Sequence, residues 1–353
     1  RRHMAGWTNN DRPPVPQGIT GSAQEGRGIV PRTPGQDERR GAPSLPVGAV
    51  LCALGGAVAS STLSFVGPGL VSYGYLSVAP RGGIRARVVC LASMLVPAAV
   101  GGMLAGVSMA ASAVVACLMA LAVCELTASH RLTSGALCAV VGAGALALLG
   151  ADELVALANG TTLSADVRSL VDALQQQLGD ALVGSSAQLG AVWAAVELLW
   201  PVAYVMAALG SCVSALVGAL VASRSSSDVA RLPRLADFDL PLWVVAVLVA
   251  SVAGIAFAVS VDGSASQVAL ALSANVAMAV RFALAAQGLA VLVWLARGKG
   301  LGPFTSTLMG VVALYLEVQF VVLTIAGLVD VWANFRHLDR GVRPGATGAT
   351  MQD

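Results

Sequence analysis

The sequence predicts an all-α protein, a polytopic integral membrane bundle of about eight or nine transmembrane passes. Composition gives the first reason, since 56% of the 353 residues are hydrophobic and only 11% are charged. A soluble domain carries roughly 25% charged residues, so a lipid bilayer is the solvent that suits this chain. Pattern gives the second reason, because the apolar residues form runs that are about long enough to cross a ~30 Å hydrocarbon core.

Both ends of the chain are expected to lie outside the bundle, which takes residues 46–335. Residues 1–45 are rich in proline, glycine and arginine without periodicity, which is typical of a disordered tail. Arginines next to the first apolar run favour a cytoplasmic N-terminus. Residues 336–353 are expected to form a flexible tail.

The first half of the bundle is interrupted by a Gly67-Pro68-Gly69 break. Because basic residues flank residues 46–80 on both sides, we expect this stretch to enter and leave the membrane on one side. It would form two short passes or a re-entrant hairpin, at 46–64 and 66–80. Three further passes are expected at 86–106, 108–128 and 133–157.

A segment expected on the outer side, 159–187, has apolar residues at helical spacing between acidic ones. The pattern predicts an amphipathic helix that lies on the membrane surface or over the bundle. Two roles stay open for it, an interfacial spacer and a lid.

The second half begins with a long helix at 188–222. Gly210, Ser214 and Gly218 repeat along it at four-residue steps, which favours close packing of a neighbouring helix. A basic cytoplasmic loop is expected at 223–240.

The last three apolar runs are 241–262, 266–296 and 303–333. The final run conflicts with the positive-inside rule, because basic residues follow it where an outer loop is expected. We expect one long or broken helix there. A hairpin broken around residues 317–319 is the alternative.

The histidines and cysteines give no sign of catalysis or of a metal site. None of the three histidines lies inside an apolar run, and the sequence contains no HExxH, CxxC or P-loop motif. The six cysteines lie within or beside apolar runs, as small apolar helix residues do. We therefore expect no enzyme, no metal and no cofactor.

Arg281 and Glu317 lie near the middles of the last two apolar runs. A charge at the bilayer centre costs several kcal/mol unless it is paired, so these two are a candidate ion pair. Glu197 is a second candidate acid for Arg281. A surplus acid would suit proton coupling or a cationic ligand, whereas a purely structural network would fix the register of the helices.

Other polar residues could complete a ligand site. Tyr204 follows Glu197 at helical spacing, with Trp200 and Pro201 between them, so the stripe could line a pocket or form a packing seam. Asn275 and Gln287 flank Arg281 at six-residue steps and point about 120° away from it on either side, which favours a central helix.

Asp330 and Arg336 end the last apolar run. Their six-residue separation does not place them on one helical face, so they need not pair. Asp330 is expected to meet a basic group on a loop instead.

Several short motifs in the second half suggest a family. They are Phe238 with Leu240-Pro241-x-Trp243, then Gln287-Gly288-Leu289-Ala290, then Gly327-Leu328-x-Asp330 and Asn334-Phe335-Arg336. The chain resembles the YybS-like family of bacterial multipass membrane proteins, most strongly over 238–336. That family is similar in layout to the substrate-binding subunits of energy-coupling-factor transporters. The resemblance implies a compact helical bundle and a separate energising partner.

The function predicted is that of a transporter-like, small-molecule-binding subunit with a central arginine and glutamate site. A membrane scaffold that assembles cell-envelope or division proteins is the alternative. The expected partners are the lipid bilayer, a small-molecule ligand and an energising or envelope protein, and no nucleic acid. The expected location is the inner membrane of a bacterial cell.

Overall fold

The computed structural model describes residues 44–179, 186–226, 229–261 and 263–338, and within them it is a bundle of α-helices. The all-α membrane fold class is thereby confirmed. Most of the two expected tails lies outside the described residues. The helices in chain order are α1 (Leu45–Ala59), α2 (Gly67–Ala105), α3 (Val107–Ala128), α4 (Ser134–Ala158), α5 (Leu163–Gly179), α6 (Ser186–Leu199), α7 (Val202–Ser225), α8 (Leu242–Ser260), α9 (Ser264–Gly298), α10 (Pro303–Phe320) and α11 (Val322–Ala333).

Six helices of the described chain are long and apolar enough to cross a membrane, or seven if the bent pair α10–α11 is one span. This number treats α2 as one span and omits α1, which has only 15 residues. However, α2 is interrupted at Gly83, whose φ of 59° and ψ of −151° are not helical. Counting α1 and the two halves of α2 separately brings the total to eight or nine.

α1 packs against the first half of α2, before the interruption at Gly83. Gly48 lies against Val78 and Gly55 against Val71, so α1 runs antiparallel to the first half of α2. Gly56 lies against Met94 in the second half. These contacts agree with the two short segments that the sequence predicted on either side of the glycine and proline break.

A close backbone contact joins α2 to α7. The Gly69 amide donates a hydrogen bond to Ser214 Oγ at 3.0 Å. A methyl group on Gly218 would overlap the carbonyl oxygen of Gly69, whereas one on Gly210 would meet nothing within 4 Å. The predicted small-residue face is therefore a contact surface at Ser214 and Gly218 but not at Gly210.

Replacing Gly218 with alanine should destabilise the protein by about 1–3 kcal/mol, because the new methyl group forces α2 and α7 apart. Thermal unfolding in detergent micelles measures the effect. Gly210→Ala is the matched control, and it should be neutral or stabilise by up to about 1 kcal/mol through better helix propensity. Equal effects of the two substitutions would contradict the close-contact assignment.

The long helix expected at 188–222 is instead two helices. α6 ends at Leu199 and α7 begins at Val202, and Trp200 and Pro201 form a turn between them. Proline removes a backbone donor and clashes with the preceding turn, which explains the break.

The amphipathic segment predicted at 159–187 is present as α5, where Val171 is buried and Asp166 and Asp172 are exposed.

The start of α4, the start of α8 and Gln287 of α9 lie at the same height along the bundle. The Ser134 hydroxyl at the start of α4 donates to the Asp239 carbonyl, and Leu240 N, just before α8, donates to Gln287 Oε1 at 3.1 Å. Farther along, Gly254 of α8 lies against Ser273 of α9, which fits the same antiparallel register. α9 thus passes the start of α8 at Gln287 and continues to Gly298, about 16 Å farther at 1.5 Å per residue.

The last apolar block is a broken helix. α10 and α11 meet at an angle of 97°, and Val321 between them has a left-handed backbone with φ 59° and ψ 28°. A β-branched residue rarely adopts this conformation, so the surrounding contacts must hold it there. Both ends of this broken run lie on the same side of the bundle, because α10 begins just after α9 ends, and Asp330 near the end of α11 accepts a hydrogen bond from Gln287 at the level where α8 begins. The geometry fits the alternative, a hairpin broken close to residues 317–319, and not a single pass.

Candidate functional site

Arg281 and Glu317 form the predicted ion pair between α9 and α10. Arg281 Nε lies 3.2 Å from Glu317 Oε1, and Arg281 Nη2 donates to the Glu317 carbonyl oxygen at 2.9 Å. The guanidinium therefore binds both the carboxylate and a backbone carbonyl in the last turn of α10. Cations are stabilised at this end of a helix, where the carbonyl groups point outward.

The Glu317 carboxylate also caps the start of α11. Glu317 Oε2 accepts a hydrogen bond from Thr324 N at 2.9 Å, and Oε1 accepts one from Thr324 Oγ1 at 2.6 Å. Thr324 N is one of the first amides of α11, which have no partner within the helix. One carboxylate thus joins the end of α10, the start of α11 and the arginine of α9.

Not all N–H donors of the Arg281 guanidinium have a strong acceptor among the described residues. Among the described residues, its Nη1 contacts only the weak acceptor Met278 Sδ, at 4.0 Å. The Arg281 side chain is 27% exposed, and the surrounding helices are apolar. Arg281 lies six residues before Gln287, so it is about 9 Å from the level where α8 begins rather than at the middle of the bundle.

A second polar cluster lies at the end of α11. The side chains of Arg336 and Asp330 are both fully buried, with Arg336 Nη2 2.9 Å from Asp330 Oδ2. Gln287 Nε2 donates to the same Asp330 oxygen at 2.8 Å and to Asp239 Oδ1 at 3.1 Å. Arg336 Nη1 donates to the Ala236 carbonyl at 2.7 Å. The cluster fastens the end of α11 to α9 and to the loop before α8.

The expectation that Asp330 and Arg336 need not pair is wrong. It assumed that the helix continues to Arg336, whereas α11 ends at Ala333 and Asn334 adopts a left-handed backbone with φ 44°. The chain therefore turns back, and the two side chains meet. Gln287 belongs to this cluster and is not among the groups that contact Arg281.

Tyr204 lies in a third cluster, apart from Arg281. Its hydroxyl donates to Asp152 Oδ2 at 2.7 Å, and the Ser108 hydroxyl donates to the other carboxylate oxygen. Trp200 packs edge-on against the Tyr204 ring, with the ring centroids 6.2 Å apart. Sequence reasoning missed Asp152, although an acidic residue on the apolar helix of 133–157 was a visible signal.

Replacing Tyr204 with phenylalanine should destabilise the protein by about 1 kcal/mol, the usual range for a hydrogen bond between membrane helices. The hydroxyl holds α7 to α4, and Asp152 would keep only Ser108. Thermal unfolding measures the loss. Tyr315→Phe, at a side chain that is 64% exposed, should leave the melting temperature unchanged. A neutral Tyr204→Phe would show that the bond does not stabilise the fold.

The remaining candidates lie apart from the Arg281 pair. Glu197 is exposed on α6 and is not in contact with Arg281. Asn275 Nδ2 donates to the Leu198 carbonyl at 2.8 Å, which fastens the end of α6 to α9. Of the predicted ligand-binding residues, the structure thus brings together Arg281 and Glu317, and it adds Thr324.

No group of histidine, cysteine and acidic residues in the described part of the chain could hold a metal ion. The six cysteines are free, and all but Cys138 are buried in the helix packing.

Another ion pair lies outside the three clusters. Glu125 pairs with Arg87 at 3.3 Å and accepts a hydrogen bond from the Tyr75 hydroxyl.

A comparison with family models gives one match. A family described as a predicted membrane protein, DUF2232, matches residues 64–331, which include every residue of the three polar clusters except Arg336. Neither the curated proteins nor the solved structures contain a match to the chain.

Proposed function

The chain belongs to the DUF2232 family of predicted membrane proteins, and we propose that it binds a small molecule at the junction of α9, α10 and α11. In this proposal Arg281 is the ligand-binding residue, and Glu317 and Thr324 hold it in place. The protein is transporter-like and not an enzyme. Its layout, as in the resemblance to the YybS-like family, is that of a substrate-binding subunit with a separate energising partner.

The observation that carries the proposal is the incomplete coordination of Arg281. A guanidinium has five N–H donors, and the described partners with oxygen acceptors are the carboxylate and the carbonyl of Glu317. An arginine within an apolar span is costly unless its donors find acceptors. Because the side chain is 27% exposed, an outside molecule can supply them.

The broken helix is the second support. In many secondary transporters the substrate site is formed by discontinuous helices, whose ends present polar backbone groups inside the membrane. Here the end of α10 and the start of α11 meet beside Arg281. The ligand that suits this site carries an oxygen acceptor, such as a carboxylate, a phosphate or a carbonyl group, because arginine has donors and no acceptor.

The proposal also includes the location of the protein and the orientation of its helices. Basic residues gather at the loop between α7 and α8 and at the end of α9, which favours a cytoplasmic position for that end in a bacterial inner membrane. The chain would then begin on the cytoplasmic side.

A ligand screen tests the proposal. The purified chain in lipid nanodiscs is heated with a panel of small carboxylates and phosphate esters, and the melting temperature is recorded. We expect at least one compound to raise it, since a ligand at 100 times its Kd stabilises by about 2.7 kcal/mol. Arg281→Leu should lose this shift, while its own melting temperature without ligand falls only modestly. Gln319→Ala, an exposed neighbour on α10, is the control and should keep the shift.

The scaffold alternative predicts a different result. Exposed apolar side chains cover most of α10, so this helix could equally serve assembly with other membrane proteins. If no compound in the panel shifts the melting temperature, and cells with the Arg281→Leu and Glu317→Leu double variant grow normally, the ion pair is structural. The ligand-binding function is then rejected.

A further inference from the structure

We propose that the end of α9 and the start of α10, residues 288–312, form a docking arm for an acidic protein partner outside the hydrocarbon core. This inference concerns a surface and does not depend on ligand binding at Arg281. It rests on the length of α9, on the exposed apolar side chains of the arm and on its charge.

The end of α9 extends beyond the starts of α8 and α4. α8 has 19 residues, or about 28 Å, which matches a ~30 Å hydrocarbon core. Its antiparallel neighbour α9 has 35 residues and passes the start of α8 at Gln287. The start of α4 lies at the same level, because Ser134 binds Asp239 in the loop before α8. Eleven residues of α9 then lead farther out to Gly298.

α10 leads back from the end of this extension toward Arg281. It begins at Pro303, shortly after α9 ends, and reaches Arg281 through Glu317. The extension of α9 is about 16 Å long from Gln287 to Gly298. A lipid headgroup layer is only about 5–8 Å thick on each side of the hydrocarbon. Lipid that covers the bundle up to Gln287 thus leaves the tip of the arm in water.

The arm presents large apolar side chains at this depth. Phe304 is 81% exposed and Leu308 is 53% exposed. The others that are more than a third exposed are Trp294, Leu295, Leu301, Val311 and Val312. Contiguous apolar surface in water is typical of a protein interaction site. The loop at 235–237 already packs against α9, so the exposed surface of the arm is formed by these apolar side chains of α9 and α10.

Charge selects the kind of partner. The only charged residues in 288–312 are Arg297 and Lys299, both exposed at the tip. Two copies of the arm would bring like charges together, which disfavours self-association through this surface. A partner that combines an apolar groove with an acidic rim matches both the side chains and the charge of the arm.

Photocrosslinking in the native membrane tests the proposal. Benzoylphenylalanine is placed at Phe304 or Leu308 of the full chain, and at Val249, an exposed position within α8, as the control. We expect one discrete adduct with a second protein from the arm positions and none from Val249. Reversing the tip charges with Arg297→Glu and Lys299→Glu should reduce the adduct by at least about tenfold, since each tenfold change corresponds to ~1.4 kcal/mol. The exchange of Arg297→Lys and Lys299→Arg should keep it.

Cysteine labelling gives a second measurement. Phe304→Cys in sealed vesicles that expose this end of the bundle should react with a membrane-impermeant maleimide, and Val249→Cys should not. An adduct at twice the mass of the chain overturns the proposal in favour of a second copy. An unreactive Phe304→Cys without a protein adduct overturns it in favour of lipid. An adduct that charge reversal leaves unchanged overturns the acidic character of the partner.

Discussion

Arg336→Leu is expected to lower the unfolding free energy by about 3–5 kcal/mol, because it removes one partner of a fully buried ion pair. The Arg336 and Asp330 side chains are both fully buried, and Arg336 also lies 3.8 Å from Asp239. Removing the guanidinium takes a cationic partner from the buried Asp330 carboxylate, to which Gln287 still donates. The end of α11 should then separate from α9. Reversible unfolding in mixed micelles, followed by circular dichroism, measures the loss.

Two comparisons test the buried character of this pair. The double variant Arg336→Leu with Asp330→Leu should lose less than the sum of the two single variants, because neither fully buried charge is left without its partner. The partly exposed Asp239 loses only its 3.8 Å contact with Arg336. Arg87→Leu removes a pair whose side chains are 44% and 39% exposed, and it should cost less than about 1 kcal/mol. Additive losses, or an Arg336→Leu effect no larger than that of Arg87→Leu, would contradict the assignment.

The sequence was sufficient to predict the features that depend on local chemistry. Long apolar runs require a bilayer, so the helical membrane fold followed from composition and spacing alone. Breaks also followed where the chain carries its own signal, as at the glycines and proline of residues 67–69 and in the last apolar run. The pairing of Arg281 with Glu317 was predictable because each charge needed a partner within the membrane.

The features that sequence reasoning missed depend on how distant segments align. Arg336 reaches Asp330 only because Asn334 turns the chain back, and helical spacing alone gives the opposite answer. Asp152 becomes significant only when α7 brings Tyr204 to it. The depth of Arg281 could not be read from its place in an apolar run, since α9 is far longer than the helix beside it. Position within a run measures depth only when all helices begin at one level.

Glu317→Leu is expected to destabilise the protein more than Arg281→Leu, although the two residues form one ion pair. Glu317 has two further donors, Thr324 N and Thr324 Oγ1, which remain when the arginine is removed. Arg281→Leu should therefore cost about 1.5–3 kcal/mol, the value of a hydrogen bond to a charged group. Glu317→Leu leaves the guanidinium without its carboxylate partner and removes the cap of α11. It should therefore lower the unfolding free energy by about 3–5 kcal/mol.

The double variant decides how the junction is built. With both charges gone, only the uncapped start of α11 remains as a defect, so its unfolding free energy should lie above that of Glu317→Leu alone. Glu317→Gln is the matched control, because an amide oxygen still accepts from Thr324, and it should be milder than Glu317→Leu. A reversed order, with Arg281→Leu the more harmful change, would mean that the arginine and not the carboxylate holds the broken helix together. Because the strained Val321 lies between these contacts, we expect the carboxylate that caps α11 also to keep the 97° bend in place.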